Sequence, residues 1–299
     1  MCSIIVVDPD ISGELPRWFL KRIATVEDEN QLAQKLGGID KDTLCNYIHC
    51  PNMPECYSDR IAAFQILGNA CSRNCGFCSV PQDLPSKVDE SEVQRIADAA
   101  RILELRRIVL VSAPRDDLIF GGAGFFSRAI KFLKKELDVT IEAHVPDFRG
   151  SKEALQKVVD AGPDVITHNL ETVQRLYPAA CPKADYNRSL KLLAEVKEID
   201  PAMVTKSGIM LGLGETDDEI LKTMEDLRKV DCDLLTIGQY VSPSKSHLPI
   251  HGFVLPKQFK DWEAVGRGMG FKGVASAPSV RSSYQVGVRN SCNLQKELG

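Results

Sequence analysis

Cys71, Cys75 and Cys78 stand in NACSRNCGFCSV at a C-x3-C-x2-C spacing. Three thiolates on one tight loop can hold three irons of a cubane iron–sulfur cluster. The remaining iron then keeps an open position for a small ligand with nitrogen and oxygen donors. Gly76 is expected to let the loop fold tightly, and Phe77 to shield the cluster from water. On spacing alone, a zinc site completed by a ligand from elsewhere and a set of unrelated free thiols stay open as alternatives.

A second group, Cys45, Cys50 and Cys56, lies in CNYIHCPNMPEC at C-x4-C-x5-C. Again three thiolates share one segment, in polar, proline-rich surroundings where free cysteines rarely cluster. Pro51 and Pro54 stiffen it and lower the entropy cost of gathering ligands. His49 reads as a polar neighbour rather than a ligand, and structural zinc is the alternative here too. The whole chain has ten cysteines, too few for a disulfide scaffold at this length and too clustered for one. A metal site in a reducing compartment is the expectation. Cys232 borders an apolar strand and is expected in the core, whereas Cys2, Cys181 and Cys292 match no spacing.

The formal net charge of the 299 residues is −4, which gives no long-range attraction to nucleic acid or anionic membrane. No run of apolar residues is long enough to span a bilayer. The opening MCSIIVVDPD has neither the basic start nor the long apolar stretch of a secretory signal. The expected location is the cytoplasm, or an organelle matrix if a transit peptide has been removed.

These cysteines need a scaffold, and the sequence supplies a repeating one. FQILG, Phe64 to Gly68, reads as a buried strand running directly into the loop from Asn69 to Val80. Helical and strand patterns then alternate. DESEVQRIADAARILEL is helical, with Val93, Ile96, Ala97 and Ala100 on one face, and RIVLVSA is a strand. Helices are expected over 124–137, SKEALQKVVDAG, 185–198, DDEILKTMEDLRKV and LPKQFKDWEAVGRGMG. Strands are expected at VTIEAHVP, DVITHNL, VTKSGIMLGLG, DLLTIGQYV and GVASAP. Near-continuous apolar strands with short connections fit a parallel sheet covered by helices. The predicted fold is α/β, a partial or full (β/α) TIM-like barrel with N-terminal and C-terminal extensions, an open doubly wound sheet being the alternative. Ser112, Glu142, His144, His168, Asn169 and Gln239 lie near strand C-termini, which a barrel directs into one mouth. Residues 1–60 read as an N-terminal extension. Within it Pro16 and Trp18 lead into FLKRI, VEDENQLAQKLGG looks like a short helix ended by Gly37 and Gly38, and 45–60 are expected as loop. Residues 61–277 form the barrel and 278–299 a polar C-terminal extension.

The first cysteine group, set after the first strand, resembles that of the radical S-adenosylmethionine enzymes. The two groups together resemble the lipoyl synthases. PRWFLKR, CPNMPEC, FQILGNACSRNCGFC, RDDLIFGG, VPDFRG, THNLETVQRLYP, ADYNRSL, TKSGIMLGLGET, LTIGQYVSPSKSHLP and SVRSSY occur in that family's order, covering about residues 14 to 288. Three segments depart from its pattern: LVSAPRDDLIFGG lacks the usual residues around RDD, FCSVPQDLPSK replaces a more typical FCDV, and no histidine or arginine follows Tyr284. The departures bear on substrate preference more than on chemistry, because every ligand type is retained.

The resemblance implies two 4Fe-4S clusters and S-adenosyl-L-methionine as cofactors. It implies that Cys71, Cys75 and Cys78 hold the cluster that cleaves the cofactor. It further implies that Cys45, Cys50 and Cys56 hold an auxiliary cluster, completed by a serine of RSSY, Ser283 in preference to Ser282. A hard alkoxide is a poor partner for such a cluster, which suits one that gives up its sulfur. Asn169, Glu171, Arg188 and Lys206 are the polar side chains expected at S-adenosylmethionine, with Gly208, Gly212 and Gly214 allowing close backbone approach. Each of these also has a purely structural reading. Arg115, Asp116 and Asp117 are expected to serve loop structure or cofactor positioning. The implied activity is radical insertion of two sulfurs, at C6 and C8 of a protein-bound octanoyl-lysine. The implied partners are an octanoylated lipoyl carrier domain or a glycine-cleavage carrier protein, a reduced ferredoxin or flavodoxin-type electron donor, and an iron–sulfur cluster donor. A related enzyme acting on another substrate is the alternative, and a zinc-stabilised binding module the alternative of a different class.

Overall fold

The structure, a computed structural model, describes residues 16, 43–44, 50, 52–81, 83 and 87–286. Cys45, His49, Trp18, the predicted helix at VEDENQLAQKLGG, Cys2, Cys292 and the tail from 287 lie outside the described residues.

Seven parallel strands pair strictly in chain order: β1 (Ile61–Gln65), β2 (Arg107–Val111), β3 (Thr140–His144), β4 (Val165–Thr167), β5 (Val204–Leu211), β6 (Leu234–Gln239) and β7 (Gly273–Ser276). Among the described residues β7 does not pair back onto β1, so the barrel is partial. Every strand position from β1 to β4 is buried except at the strand ends. That explains why these segments read as apolar runs rather than alternating ones: one face meets helices, the other the barrel interior. The covering helices are α2 (Glu92–Ile102), α3 (Ala123–Glu136), α4 (Lys152–Val159), α6 (Tyr186–Ile199), α7 (Asp217–Lys229) and α8 (Pro256–Gly268). On α2 the buried residues are Val93, Ile96, Ala97, Ala99 and Ala100, an apolar stripe that repeats every three to four residues. The α7 start is fixed by a capping box, in which Thr216 and Glu219 each accept from the other's backbone N–H. A short α5 (Tyr177–Ala180) lies between β4 and α6.

One expectation fails in the N-terminal extension. Residues 53–58, read as loop, form helix α1 (Met53–Ser58). Proline signalled a break, but Pro54 sits in the first turn, where its missing N–H has no helical partner to lose. None of α1's residues is buried, so no apolar periodicity was there to reveal it.

The segment after β7 crosses back over the sheet. Pro278 accepts from the Gln239 N–H at 3.2 Å, and Val280 passes over Gly238. A Cβ at Gly238 would lie 2.1 Å from the Val280 carbonyl oxygen. Gly238→Ala is therefore expected to lower unfolding free energy by about 2 kcal/mol, the usual scale for forcing an atom into a filled site. Equilibrium denaturation checks this.

Candidate active site

The cysteine loop leaves β1 through Leu67 and Gly68, both at positive φ. Its backbone is then fixed from two sides. Gly76 N–H donates to the Ala180 carbonyl at 2.8 Å, and Leu248 N–H donates to the Gly76 carbonyl at 2.8 Å. The His247 ring lies 3.1 Å from the Cys78 carbonyl oxygen through Nε2. Gly76 does not adopt a positive φ. A Cβ there would sit 3.0 Å from Leu248 Cγ, so close packing, rather than a tight turn, makes glycine the residue that fits.

Arg73, inside the motif, anchors the loop to the sheet. Its guanidinium is buried and forks onto two carboxylates, Asp116 (2.9 Å from both Nε and Nη2) and Asp147 (3.0 Å from Nη1 and 2.6 Å from Nη2). Burial alone would raise the Asp147 pKa, but Arg73, with help from Arg188, holds it down at about 2. Such bidentate charge-assisted pairs fix orientation as well as distance. Arg188 reaches this centre only through Asp147, at 2.7 Å. Arg115 bonds Asp117 and the Leu67 carbonyl. The RDD segment thus supports the cysteine loop through ion pairs.

Cys71, Cys75 and Cys78 line one cavity of about 240 Å³ together with Phe77, Ser112, His144, His168, Asn169 and Glu171. Four of the polar residues expected at the mouth are here. Glu142, two positions below His144 on β3, lies elsewhere, and Gln239 faces a neighbouring cavity. Burial pushes the Cys75 thiol up to about 12 and Cys78 to about 11, with Cys71 moved in the same direction. Buried thiols like these become thiolates when a metal supplies the compensating charge. Among the described residues no three His, Cys, Asp or Glu side chains are placed to hold a single metal ion. A cubane takes its thiolates at separate corners, which suits three thiols spread along one wall. His144 is pushed down to about 4 by burial, and His168 is lowered by the same cause. The His168 ring is wedged between the Val145 carbonyl and Ser189 Oγ, each at 2.9 Å.

In the same cavity Asn169 is buried, and its Oδ1 has no hydrogen-bond partner among the described residues. An orphaned buried oxygen costs about 1–3 kcal/mol, and a ligand N–H in this cavity would satisfy it. Asn169 Nδ2 donates to Glu171 Oε1 at 3.1 Å. Glu171 holds a positive φ of 66°, pinned by hydrogen bonds to Gly208 O and from Met210 N. Such a conformation persists only when its surroundings over-determine it. Burial pushes the Glu171 carboxyl up to about 7, against the Asn169 hydrogen bond. At Gly208 a Cβ would lie 2.6 Å from Thr236 Oγ1 and 2.9 Å from Asn169 Oδ1. The three-thiol wall and the unpaired amide oxygen fit a cluster with a polar amino-acid cofactor on its open iron, and Gly208 lines the adjoining cavity that shares Asn169.

Gly212 and Gly214 are not part of this wall. They turn the chain at φ +103° and +102°, Gly212 against the Gln239 side chain and Gly252 carbonyl, Gly214 against His251. Lys206 also lines neither cavity. It is fully buried, and its Nζ donates to Glu142 Oε1 at 3.0 Å and to the Tyr284 carbonyl at 2.9 Å. Glu142 in turn accepts from Arg107 and, at 2.6 Å, from Thr167. Burial would raise the Glu142 pKa, but Lys206 and Arg107 hold it down at about 2, below its ordinary 4.5. A depressed carboxylate stabilises the fold fully above 4.5 and loses that contribution as pH falls toward about 2. Denaturation midpoints measured across that window should fall more steeply with acid than in Glu142→Gln.

A second cavity, about 180 Å³, shares Phe77, Asn169 and Glu171 with the first and extends along Gly208 and Gln239 to Arg281 and Ser282. Tyr284 N–H donates to the Arg281 carbonyl at 2.9 Å, so Ser282 and Ser283 occupy the middle of a turn. This turn is tied to the first cysteine-bearing segment. Asn52 Nδ2 donates to the Ser279 carbonyl at 2.6 Å, and the Tyr284 hydroxyl to Glu55 Oε1 at 2.8 Å. Glu55 is the neighbour of Cys56 on α1. Cys50 is buried just ahead of that helix, its carbonyl accepting from Met53 N–H at 3.0 Å. Burial lowers the pKa of Arg281, and the charge of Cys50 works against that shift. Cys50, Cys56, Ser282 and Ser283 are thus brought to one end of the barrel. Cys232 is core, as expected. The sequence reading missed Arg73, Asp147 and His247. The first was legible as the only charged residue inside the cysteine motif. The other two lie far along the chain in VPDFRG and SPSKSHLP.

A family model for the radical SAM superfamily matches residues 66–227. The chain is 52% identical over 273 residues to the lipoyl synthase of Caldanaerobacter subterraneus subsp. tengcongensis, which covers 91% of this chain and 96% of that one. To the lipoyl synthase of Rubrobacter xylanophilus it is 44% identical over 272 residues, 91% of this chain and 85% of the other. Among solved structures, methylornithine synthase superposes with a TM-score of 0.56 at 12% identity, over 90% of this chain and 84% of that one. That last likeness establishes the fold alone, a partial barrel shared at low identity. The identity and coverage of the curated relatives go further: this chain belongs to the lipoyl synthase family of the radical SAM superfamily.

Proposed function

We propose that this radical SAM sulfurtransferase inserts two sulfur atoms, at C6 and C8 of an octanoyl chain borne on a lysine of a small carrier domain. We infer that it does so with two 4Fe-4S clusters, one in the Cys71–Cys75–Cys78 loop and one in the Cys45–Cys50–Cys56 segment with Ser283 or Ser282. When bound, the first cluster with S-adenosylmethionine supplies a carbon-centred radical strong enough to take hydrogen from an alkyl carbon, and the second supplies sulfur.

The residues divide the work. The Cys71, Cys75 and Cys78 thiolates would hold the cluster and leave one iron open to the cofactor. The Asn169 amide oxygen and the bare backbone at Gly208 face the cofactor's polar end. The Arg73 fork, the Ala180 and Leu248 backbone contacts and the His247 ring keep the loop from shifting during reduction. Phe77 stands in both cavity walls and excludes water from the path between them, as a radical on saturated carbon requires. Residues 61–277 carry the radical chemistry, while 1–60 and 278–299 together supply the sulfur site.

The observation that carries this reading is the shared wall. The cavity of the three thiols and the cavity reaching Ser282 have Phe77, Asn169 and Glu171 in common, and the serine turn is bonded to the helix that holds Cys56. Radical source and sulfur source then sit on either side of one substrate path. The carrier is an octanoylated lipoyl domain or the glycine-cleavage carrier protein. The electron comes from a reduced ferredoxin or flavodoxin-type donor, and a cluster donor restores the auxiliary site in a reducing cytoplasm. The test is anaerobic incubation with an octanoylated carrier peptide, S-adenosylmethionine and reductant. Formation of lipoyl peptide with two 5′-deoxyadenosines per product is expected. Cofactor cleavage with no sulfur on the peptide would assign the chain to another substrate.

A further inference from the structure

Four strands each contribute one residue to a single buried ionic network: Arg107 from β2, Glu142 from β3, Thr167 from β4 and Lys206 from β5. Three of the four are fully buried, and Arg107 nearly so. Thr167 lies directly beside Lys206 across β4 and β5, and the long Arg107 and Lys206 side chains reach Glu142 from other register positions. Arg107 already pairs with Glu142, so the Lys206 ammonium is a second cation on one carboxylate. A charge buried in this way is costly without partners, and the third donor direction of Lys206 is spent outside the barrel, on the Tyr284 carbonyl.

Tyr284 is the residue that closes the serine turn. Its N–H donates to the Arg281 carbonyl, its hydroxyl donates to Glu55, and its carbonyl accepts from the Lys206 ammonium. On the other side of the turn the chain is held by Asn52 at Ser279 and by Gln239 at Pro278. The Lys206 bond joins the turn's exit to the interior of the sheet.

We propose that Lys206 is a positioning residue, a latch that holds the turn bearing Ser282 and Ser283 over the Cys50–Cys56 segment. The network of Arg107, Glu142 and Thr167 exists to present its ammonium there. The proposal rests on the reading that this turn and those cysteines hold an auxiliary cluster. Lys206 acts through the Tyr284 backbone and touches no reacting atom.

The test uses the full-length, cluster-loaded protein as Lys206→Met, which leaves the Arg107–Glu142 pair intact, with Lys206→Arg as the conservative replacement. Three quantities are read: amide exchange across 281–286, reductive cleavage of S-adenosylmethionine, and sulfur insertion into the octanoyl peptide. Losing a charge-assisted hydrogen bond should speed exchange in 281–286 by about tenfold or more. Sulfur insertion per cofactor cleaved should fall by a similar factor. The Mössbauer component of the one oxygen-ligated iron should broaden or vanish. Lys206→Arg should recover most of each. If cleavage and insertion fall together while 281–286 exchanges as in the unaltered protein, Lys206 serves the cofactor and the latch is refuted. Should Lys206→Met not fold, the unaltered protein decides. A latched turn exchanges its Tyr284–Val286 amides together with β5, and a turn that exchanges far ahead of β5 overturns the proposal. Failure of the auxiliary-cluster reading is distinguishable, because Cys45, Cys50 and Cys56 replaced together by alanine would then retain full iron.

Discussion

Cys75→Ala is expected to abolish reductive cleavage of S-adenosylmethionine, and with it every later step. The three thiolates act as one unit, so removing one costs nearly as much as removing all, at least about a thousandfold in rate. Cys75 is the informative choice because its loop position is the most constrained. The next residue, Gly76, is hydrogen-bonded on both sides, to Ala180 and from Leu248, so the backbone cannot re-form to offer another ligand. Cys181 lines the same cavity and is buried, so among the described residues it is the further thiol that a rescue would use. The measurement is 5′-deoxyadenosine formed with reductant and no carrier substrate. Residual cleavage within about tenfold of the unaltered protein would mean that the loop does not ligate the cluster as described.

Replacing Cys45, Cys50 and Cys56 together by alanine is expected to divide the two activities. Sulfur insertion should fall below detection, whereas cofactor cleavage should stay within about threefold, less than 1 kcal/mol in barrier. The reason is spatial. Cys50 packs with Ala63 and Val109 at the start of the barrel, and Cys56 is half-buried on α1. Neither lines the cavity of the three cleavage-site thiols. Their loss removes a sulfur source and leaves the Arg73–Asp116–Asp147 clamp in place. Sulfur transfer persisting in this variant would place the donor elsewhere.

Much of this architecture was legible in the residues. The strands announced themselves as apolar runs because both faces are covered. The α2 stripe of Val93, Ile96, Ala97 and Ala100 predicted its buried face correctly. What escaped was set by distance along the chain or by lack of burial. Helix α1 has no buried stripe, so only its proline was visible, and proline carries opposite meanings inside a helix and in its first turn. DVITHNL yielded a strand of only three residues, Val165–Thr167. After Thr167 the chain departs to place His168, Asn169 and Glu171 at the cavity. Gly208, Gly212 and Gly214 look alike in TKSGIMLGLGET, yet one is packed closely by Thr236 and Asn169 and two turn the chain. Lys206 was expected at the cofactor by family resemblance, with a structural role as its other reading. Its commitment to Glu142, 64 positions earlier, and Tyr284, 78 later, follows only from the folded sheet and the return of the chain after β7.

On the proposed reading six thiolates hold two separate iron–sulfur cores in one chain, and a metal count decides it. Anaerobically reconstituted protein should contain about eight irons and about eight acid-labile sulfides per chain, with little zinc, falling to about four of each when Cys45, Cys50 and Cys56 are alanine. A count near four in the unaltered protein, or a colourless protein rich in zinc, would contradict it.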